Sequence, residues 1–247
     1  MDKLYIVIPA YNEEENIEKV IEDWYPIIEK NHGDGNSRLV ILDDGSKDST
    51  YQMICDAAKS KPLLLPVTKK NGGHGATILE GYQFALKNGA DYIFQTDSDG
   101  QTLPTEFEPL WEQRTQYDMV IGQRTKRQDG FSRLIVTKVL KAVVACIFGV
   151  SVEDANAPYR LMSHESLKDV ISVVPAQYNL SNVIISVGYR KLGYSVKSIP
   201  ITFRPRQGGV NSINIKRIIG IGKRALKSFY EINKDINQEV RKRKTGR

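Results

Sequence analysis

The chain has 247 residues, of which 40% are hydrophobic and 26% charged, enough for a substantial core and ordinary for a globular protein. Its two cysteines, Cys55 and Cys146, read as buried thiols and lack metal-ligand spacing, which excludes a disulfide framework and a zinc site. The net charge of +6 sits at the end: Arg241 to Arg247 hold five Lys or Arg and no acid, so the rest is close to neutral.

Met1-Asp2-Lys3 leads directly into a strand-like run, leaving no room for a signal peptide, and a cytoplasmic protein is expected. Apolar runs predict strands at Leu4 to Ile8, Arg38 to Leu42, Leu63 to Val67, Tyr92 to Gln95 and Met119 to Gly122. Between them, helices are predicted over Glu14 to Ile28, Ser49 to Lys59, Gly75 to Asn88 and Thr105 to Thr115. This alternation is the signature of an α/β fold, a mostly parallel sheet flanked by helices. The second half is less regular, with helices expected at Ser132 to Gly149, Leu180 to Leu192 and Ile215 to Ile232, and a strand at Ser195 to Phe203. We expect one compact domain over 1–212 and a helical C-terminal elaboration, an amphipathic helix and basic tail, over 213–247.

Polar residues collect after three strands, at Pro9 to Glu13, Asp43 to Ser46 and Asp97 to Gln101. Ligands of open α/β sheets bind outside the carboxyl ends of the strands, where these loops gather. In the third loop, Asp97 and Asp99 are two residues apart and point the same way if the segment is extended, so they can converge on one hard cation. Carboxylates suit Mg²⁺ or Mn²⁺, and such an ion completes its shell with substrate phosphate oxygens. Alone, an Asp-x-Asp is more often a polar turn.

Four stretches remove that ambiguity: Ile8-Pro9-Ala10-Tyr11-Asn12-Glu13, Asp43-Asp44-Gly45-Ser46, Asn71-Gly72-Gly73-His74-Gly75-Ala76 and Asp97-Ser98-Asp99. In this order and spacing the chain resembles the family 2 glycosyltransferases of GT-A fold, particularly the dolichyl- or polyprenyl-phosphate sugar synthase branch, over about its first 205 residues. The resemblance implies a Rossmann-like sheet and a nucleoside-diphosphate-sugar donor. It also implies that Pro9, Tyr11, Glu13, Ile41 and Asp43 contact the nucleoside, with Asp97, Ser98 and Asp99 at the diphosphate. Asp97, Asp99 and the amide oxygen of Gln101 are the implied ligands of a Mg²⁺ or Mn²⁺ ion. Arg124 matches the Arg of a Gly-Ser-Arg motif and Arg133 a second arginine of the lipid-phosphate branch. Arg206 lies in a segment resembling a mobile arginine loop, although Ser212 is not followed by the Lys common there.

Glu153-Asp154-Ala155-Asn156-Ala157-Pro158-Tyr159-Arg160 resembles the family stretch that carries an Asp shortly before a Gly-Phe-Arg or Gly-Phe-Lys, matching at Asp154 and more loosely after it. Together the matches imply catalytic roles for Asp99, Arg124, Asp154 and Arg206, and acceptor contacts for Arg124, Arg133 and Arg206. An acceptor phosphate needs no base; a saccharide hydroxyl does, and Asp154 is then the leading carboxylate. Asp44-Gly45 reads as a tight turn and Asp48 or Ser49 as a helix cap, with Asp48 mainly structural. The Gly72-Gly73 loop is weighed as a phosphate cradle, with His74 as a solvated loop residue or a local ligand.

Leu134 to Gly149 and Ile215 to Ile232 are apolar or amphipathic but carry lysines, too polar to span a bilayer. With the tail they suit an anionic membrane surface, or else pack on the sheet with a disordered basic end. A nucleic-acid-binding module working through the tail is the alternative outside enzymes; no nucleic acid is expected, because the body lacks a basic-aromatic surface. Oligomeric state is not legible.

Overall fold

The computed structural model describes residues 2–32, 35–124, 131–205 and 215–245, with side chains throughout except at 131–136 and 215–225. Strands β1 (Leu4–Ala10), β2 (Arg38–Asp43) and β3 (Leu64–Thr68) alternate with helices α1 (Ile17–Lys30), α2 (Thr50–Ala58) and α3 (His74–Lys87). Then come β4 (Tyr92–Gln95), the short α4 (Phe107–Trp111), β5 (Met119–Arg124) and α5 (Phe131–Phe148). The chain continues through β6 (Arg160–Ser163), α6 (His164–Ile171), α7 (Ser181–Lys191), β7 (Val196–Ile201) and α8 (Ile215–Thr245).

The strands form one sheet in the order β3-β2-β1-β4-β6-β5-β7. All pairs are parallel except those of β6, which runs antiparallel to both β4 and β5. All seven residues of β1 are buried, as expected of a central strand covered on both faces. Alternate side chains enter opposite layers: Tyr5 and Val7 join one core with Ile78, Tyr82 and Ile184, while Leu4, Ile6 and Ile8 join another with Ile17, Trp24 and Phe94. Helix α1 supplies Ile17, Val20, Ile21, Trp24, Tyr25 and Ile28 to that second layer, the i, i+3, i+4 spacing of an amphipathic helix.

This order places the site. The chain runs outward from β1 to β3 and then restarts at β4 on the other side of β1, so the switch point lies between β1 and β4. Because β6 is reversed, its first residue, Arg160, pairs with the last residue of β4, Gln95, and the segment preceding β6 arrives at the same end. The parallel β7 delivers residues 202–205 there as well.

Two expectations change. Cys146 is exposed and Cys55 only half-buried, because Cys146 lies on the outward side of α5 while Val144 and Phe148 point inward. The basic end is helical as far as Thr245 rather than disordered. Phe229, Ile232 and Ile236 of α8 are buried in the core beside Phe148. Lys191 Nζ donates to Asn233 and Asn237, each at 2.6 Å, and Arg243 pairs with Asp169 at 2.9 Å and Glu239 at 3.3 Å. Arg243 is therefore a fixed side chain whose charge is already matched. Among the described residues no helix is long and apolar enough to cross a membrane.

Candidate active site

The first two loops interlock. Asn12 adopts a left-handed backbone, φ 52°, which Asn tolerates better than most residues. Its N–H donates to Ser46 Oγ and its Oδ1 accepts from the Lys47 N–H, both at 2.9 Å. Glu13 N–H donates to Thr50 Oγ1 at 2.8 Å, and Glu14 accepts from the Ser49 N–H at 3.0 Å. Ser49 is the N-cap of α2 without a side-chain bond, and Asp48 just before it accepts from the N–H and hydroxyl of Thr50. Burial pushes the Asp48 carboxyl up, but these donors and the Glu14 N–H outweigh it and hold it below the ordinary range.

On this frame Pro9 is buried, and Tyr11 holds its ring 42% exposed, an open face for stacking. Glu13 is buried, with its carboxylate accepting from Asn16 Nδ2 at 2.7 Å. Asp43, also buried, accepts from the Thr68 hydroxyl at 2.8 Å and the Ser46 N–H at 3.2 Å. Ile41 lies two residues inside the sheet, fully buried and in register with Ile8 and Pro66, so it supports the platform from within.

Asp44 does more than turn the chain. Its Oδ1 accepts from Lys69 Nζ at 2.7 Å and the Gly72 N–H at 2.8 Å, and its Oδ2 from the Gly73 N–H at 2.9 Å. The two glycine amides considered for a phosphate are thus already engaged by a carboxylate. Burial raises the Asp44 carboxyl, and the Lys69 ammonium, the Gly72 and Gly73 amides and Thr77 together pull it below its ordinary value. A depressed folded-state value means that Asp44 contributes stability fully above the unfolded carboxylate range near pH 4, lost as pH falls through the folded value. We expect acid titration below about pH 4 to destabilise the wild type more steeply than Asp44→Asn, measured by thermal melts across pH. Equal slopes would count against this role.

The third loop carries the carboxylates. Asp97 Oδ1 is buried without a hydrogen-bond partner, with His74 Nε2 at 3.7 Å. Asp99 Oδ1 accepts from the Gln101 N–H at 3.1 Å, and Ser98 is buried between the two acids. The buried Gln101 donates its Nε2 to the Arg204 carbonyl at 2.8 Å, while its own carbonyl accepts from the Arg204 N–H at 2.9 Å. Arg204 Nη2 also donates to the Gly100 carbonyl at 3.1 Å. The segment after β7 is thereby fastened to the Asp97–Gln101 loop, a link that the sequence alone did not reveal. An orphaned buried carboxylate oxygen beside a second carboxylate fits a hard divalent cation. Among the described residues no three His, Cys, Asp or Glu form an all-protein cage, so such an ion would share its shell with a ligand's oxygens.

Arg124 and Asp154, read separately in the sequence, form one unit. Arg124 Nε and Nη2 donate to the two Asp154 oxygens at 2.7 Å each, with both side chains about nine-tenths buried. The guanidinium also lies 4.9 Å from the Phe203 ring centroid. The Asp154 carboxylate is thus oriented by a planar, bidentate guanidinium. Behind this pair Arg160 is fully buried and donates to the Ala155 and Ala157 carbonyls, the Asn182 carbonyl and Ser186 Oγ. Burial pulls its guanidinium down, opposed by Tyr82, Asp154, Tyr189 and Asp97. Arg133 belongs to the first turn of α5, its side chain outside the described residues, as is Arg206 altogether.

The profile of glycosyl transferase family 2 matches residues 5–170. The chain is a family 2 glycosyltransferase. This glycosyltransferase is 27% identical over 218 residues to the polyprenol monophosphomannose synthase of Mycolicibacterium smegmatis, covering 85% of this chain and 80% of that one. It is 26% identical over 225 residues to a dolichyl-phosphate beta-glucosyltransferase of Trichomonas vaginalis, covering 85% and 68%. Its fold matches glucosyl-3-phosphoglycerate synthase from Mycobacterium tuberculosis, solved with Mn²⁺, UDP-glucose and phosphoglyceric acid, at a TM-score of 0.70 and 18% identity over 94% of this chain and 80% of that. The GT-A architecture of the glycosyltransferase is therefore established, with its loops at the sheet end expected for it.

Proposed function

We propose that this glycosyltransferase moves a sugar from a UDP- or GDP-sugar to a polyprenyl phosphate, with inversion at the anomeric carbon. The observation that carries the donor half is the buried, partnerless Asp97 oxygen beside Asp99 at the switch point between β1 and β4. In this reading Asp97, Asp99 and the amide oxygen of Gln101 hold a Mg²⁺ or Mn²⁺ ion, which supplies Lewis-acid stabilisation of the departing diphosphate. Tyr11 offers its ring to the nucleoside, and Asp43, ordered by Thr68 and Ser46, accepts hydrogen bonds from the base. Pro9 and Ile41 shape that pocket from within, Glu13 fixes its wall, and Ser98 sets the spacing of the two acids.

The acceptor half rests on the Arg124–Asp154 pair. A phosphate acceptor is already ionised and needs positive charge near it rather than a base. In this reading Arg124, with Arg133 and Arg206 as further phosphate contacts, supplies that positive charge. Peripheral membrane contact fits this acceptor: Val139, Leu226 and Tyr230 are exposed on the packed pair α5 and α8, near the exposed Lys138, Lys141 and Lys227. In the domain division 1–212 and 213–247, the second segment then serves as the membrane-facing part.

One assay tests the acceptor. UDP- and GDP-hexoses are supplied with polyprenyl phosphate in phosphatidylglycerol or phosphatidylcholine vesicles, or with soluble saccharides, in wild type and Asp154→Asn. We expect label in the lipid fraction only, faster on the anionic vesicles, and some transfer retained in Asp154→Asn. Transfer to saccharide alone, abolished by Asp154→Asn, would contradict the reading.

A further inference from the structure

His74 begins α3 and sits on a clamped stretch of backbone. On one side the Gly72 and Gly73 amides are held by Asp44; Gly73, at φ +88°, has a conformation that few other residues accept. On the other, a Cβ at Gly75 would collide with the Tyr178 carbonyl oxygen, and the Gly75 carbonyl accepts from Ser181 Oγ at 3.1 Å. The imidazole carried between these anchors is about half exposed, and its Nε2 lies 3.7 Å from Asp97 Oδ1, the buried oxygen that has no hydrogen-bond partner. Two donors each about 2.1 Å from one ion lie roughly 3 to 4 Å apart. The observed separation, also that of a His–Asp ion pair, falls in the range for two ligands on a shared cation.

We propose that His74 is a nitrogen ligand, with Asp97, of the divalent ion that the donor site takes, and that it biases this site toward Mn²⁺ over Mg²⁺. This rests on the donor-site reading above. The bias follows because an imidazole nitrogen suits transition ions, whereas Mg²⁺ is served by oxygen donors. Alongside the Asp99 and Gln101 oxygens named above, diphosphate oxygens and water complete the shell.

The chain has three histidines, and only this one is at the site end of the sheet. His32 follows α1 and accepts from the Gly35 N–H, while His164 follows the antiparallel β6 and its Nδ1 meets the Ala90 carbonyl at 2.7 Å. A nitrogen signal from labelled histidine at a site-bound ion therefore reports on His74.

The test is electron spin-echo spectroscopy of Mn²⁺ bound to the full chain with UDP and, separately, GDP, using natural-abundance and ¹⁵N-histidine protein. We expect a ¹⁴N coupling that changes to ¹⁵N on labelling and disappears in His74→Gln. Titration should show Mn²⁺ affinity falling at least about tenfold in that variant, with Mg²⁺ affinity changing by less than about threefold. Mn²⁺ that binds with the nucleotide, depends on Asp97 and shows no histidine coupling would overturn the His74 ligand while leaving the donor site standing. Mn²⁺ binding that neither nucleotide nor Asp97→Asn affects would overturn both.

Discussion

Replacing Asp99 by Asn is expected to slow sugar transfer by about a thousandfold or more at saturating Mn²⁺, with Asp97→Asn close behind. Departing diphosphate gathers negative charge, and one unit charge about 4 Å away at an effective dielectric near 20 is worth about 4 kcal/mol. At about 1.4 kcal/mol per tenfold, that is roughly three orders of magnitude. Asn keeps the size of Asp99 and an oxygen that can still accept from the Gln101 N–H, so the loop should survive. Single-turnover rates measured beside thermal melts separate the two effects. A variant retaining more than about a tenth of wild-type rate would contradict the assignment.

Arg124→Ala should cost about 3–5 kcal/mol of folding stability, because it removes the guanidinium from which both oxygens of the buried Asp154 carboxylate accept. For a chain of this size that is a fall in Tm of about 6–20 °C. Arg124→Lys keeps the charge but loses the fork, and should fall between wild type and Ala. The double variant Arg124→Leu with Asp154→Leu should recover much of the stability, since a buried ion pair adds little over apolar residues of similar volume. It should not recover transfer. Full activity in a stable double variant would remove Arg124 from the chemistry, and a loss of under about 1 kcal/mol in Arg124→Ala would show the pair to be weakly coupled.

The parallel half of the sheet was legible because β1, β2 and β4 are continuous apolar runs ending in Pro, Asp or Gln, and each helix between them repeats its apolar residues at helical spacing. Strand β6 was not. It has four residues, begins with a charged one and owes its place to pairing with Gln95 and Ile121 far away in sequence. Helix α6 follows it directly and was missed with it, and the longer α4 expected over Thr105 to Thr115 shortens to five residues after a turn at Pro104–Glu106.

Within the site, side chains whose work follows from their place at a strand end could be read in order: Asp43, Asp97, Asp99. Those whose work is to fasten one segment to another could not. Asp44 looked like a turn residue because its partners, Lys69 and the Gly72 and Gly73 amides, lie on the next loop; an acid after the strand end with Lys and two glycines after the neighbouring strand was the available signal. Arg124 and Asp154 looked like separate candidates, 30 residues apart, until the reversed β6 brought them together. Arg204 and Arg160 bind backbone carbonyls, which leave no mark in sequence spacing.

Titration calorimetry of UDP and GDP against wild type and Asp97→Asn, with Mn²⁺ or with EDTA, tests the metal-bound diphosphate site most directly. We predict that one nucleotide binds wild type tightly with Mn²⁺, at least about tenfold more weakly with EDTA, and that Asp97→Asn abolishes this difference. Equal binding with and without the metal, or failure of both nucleotides to bind wild type, would contradict it.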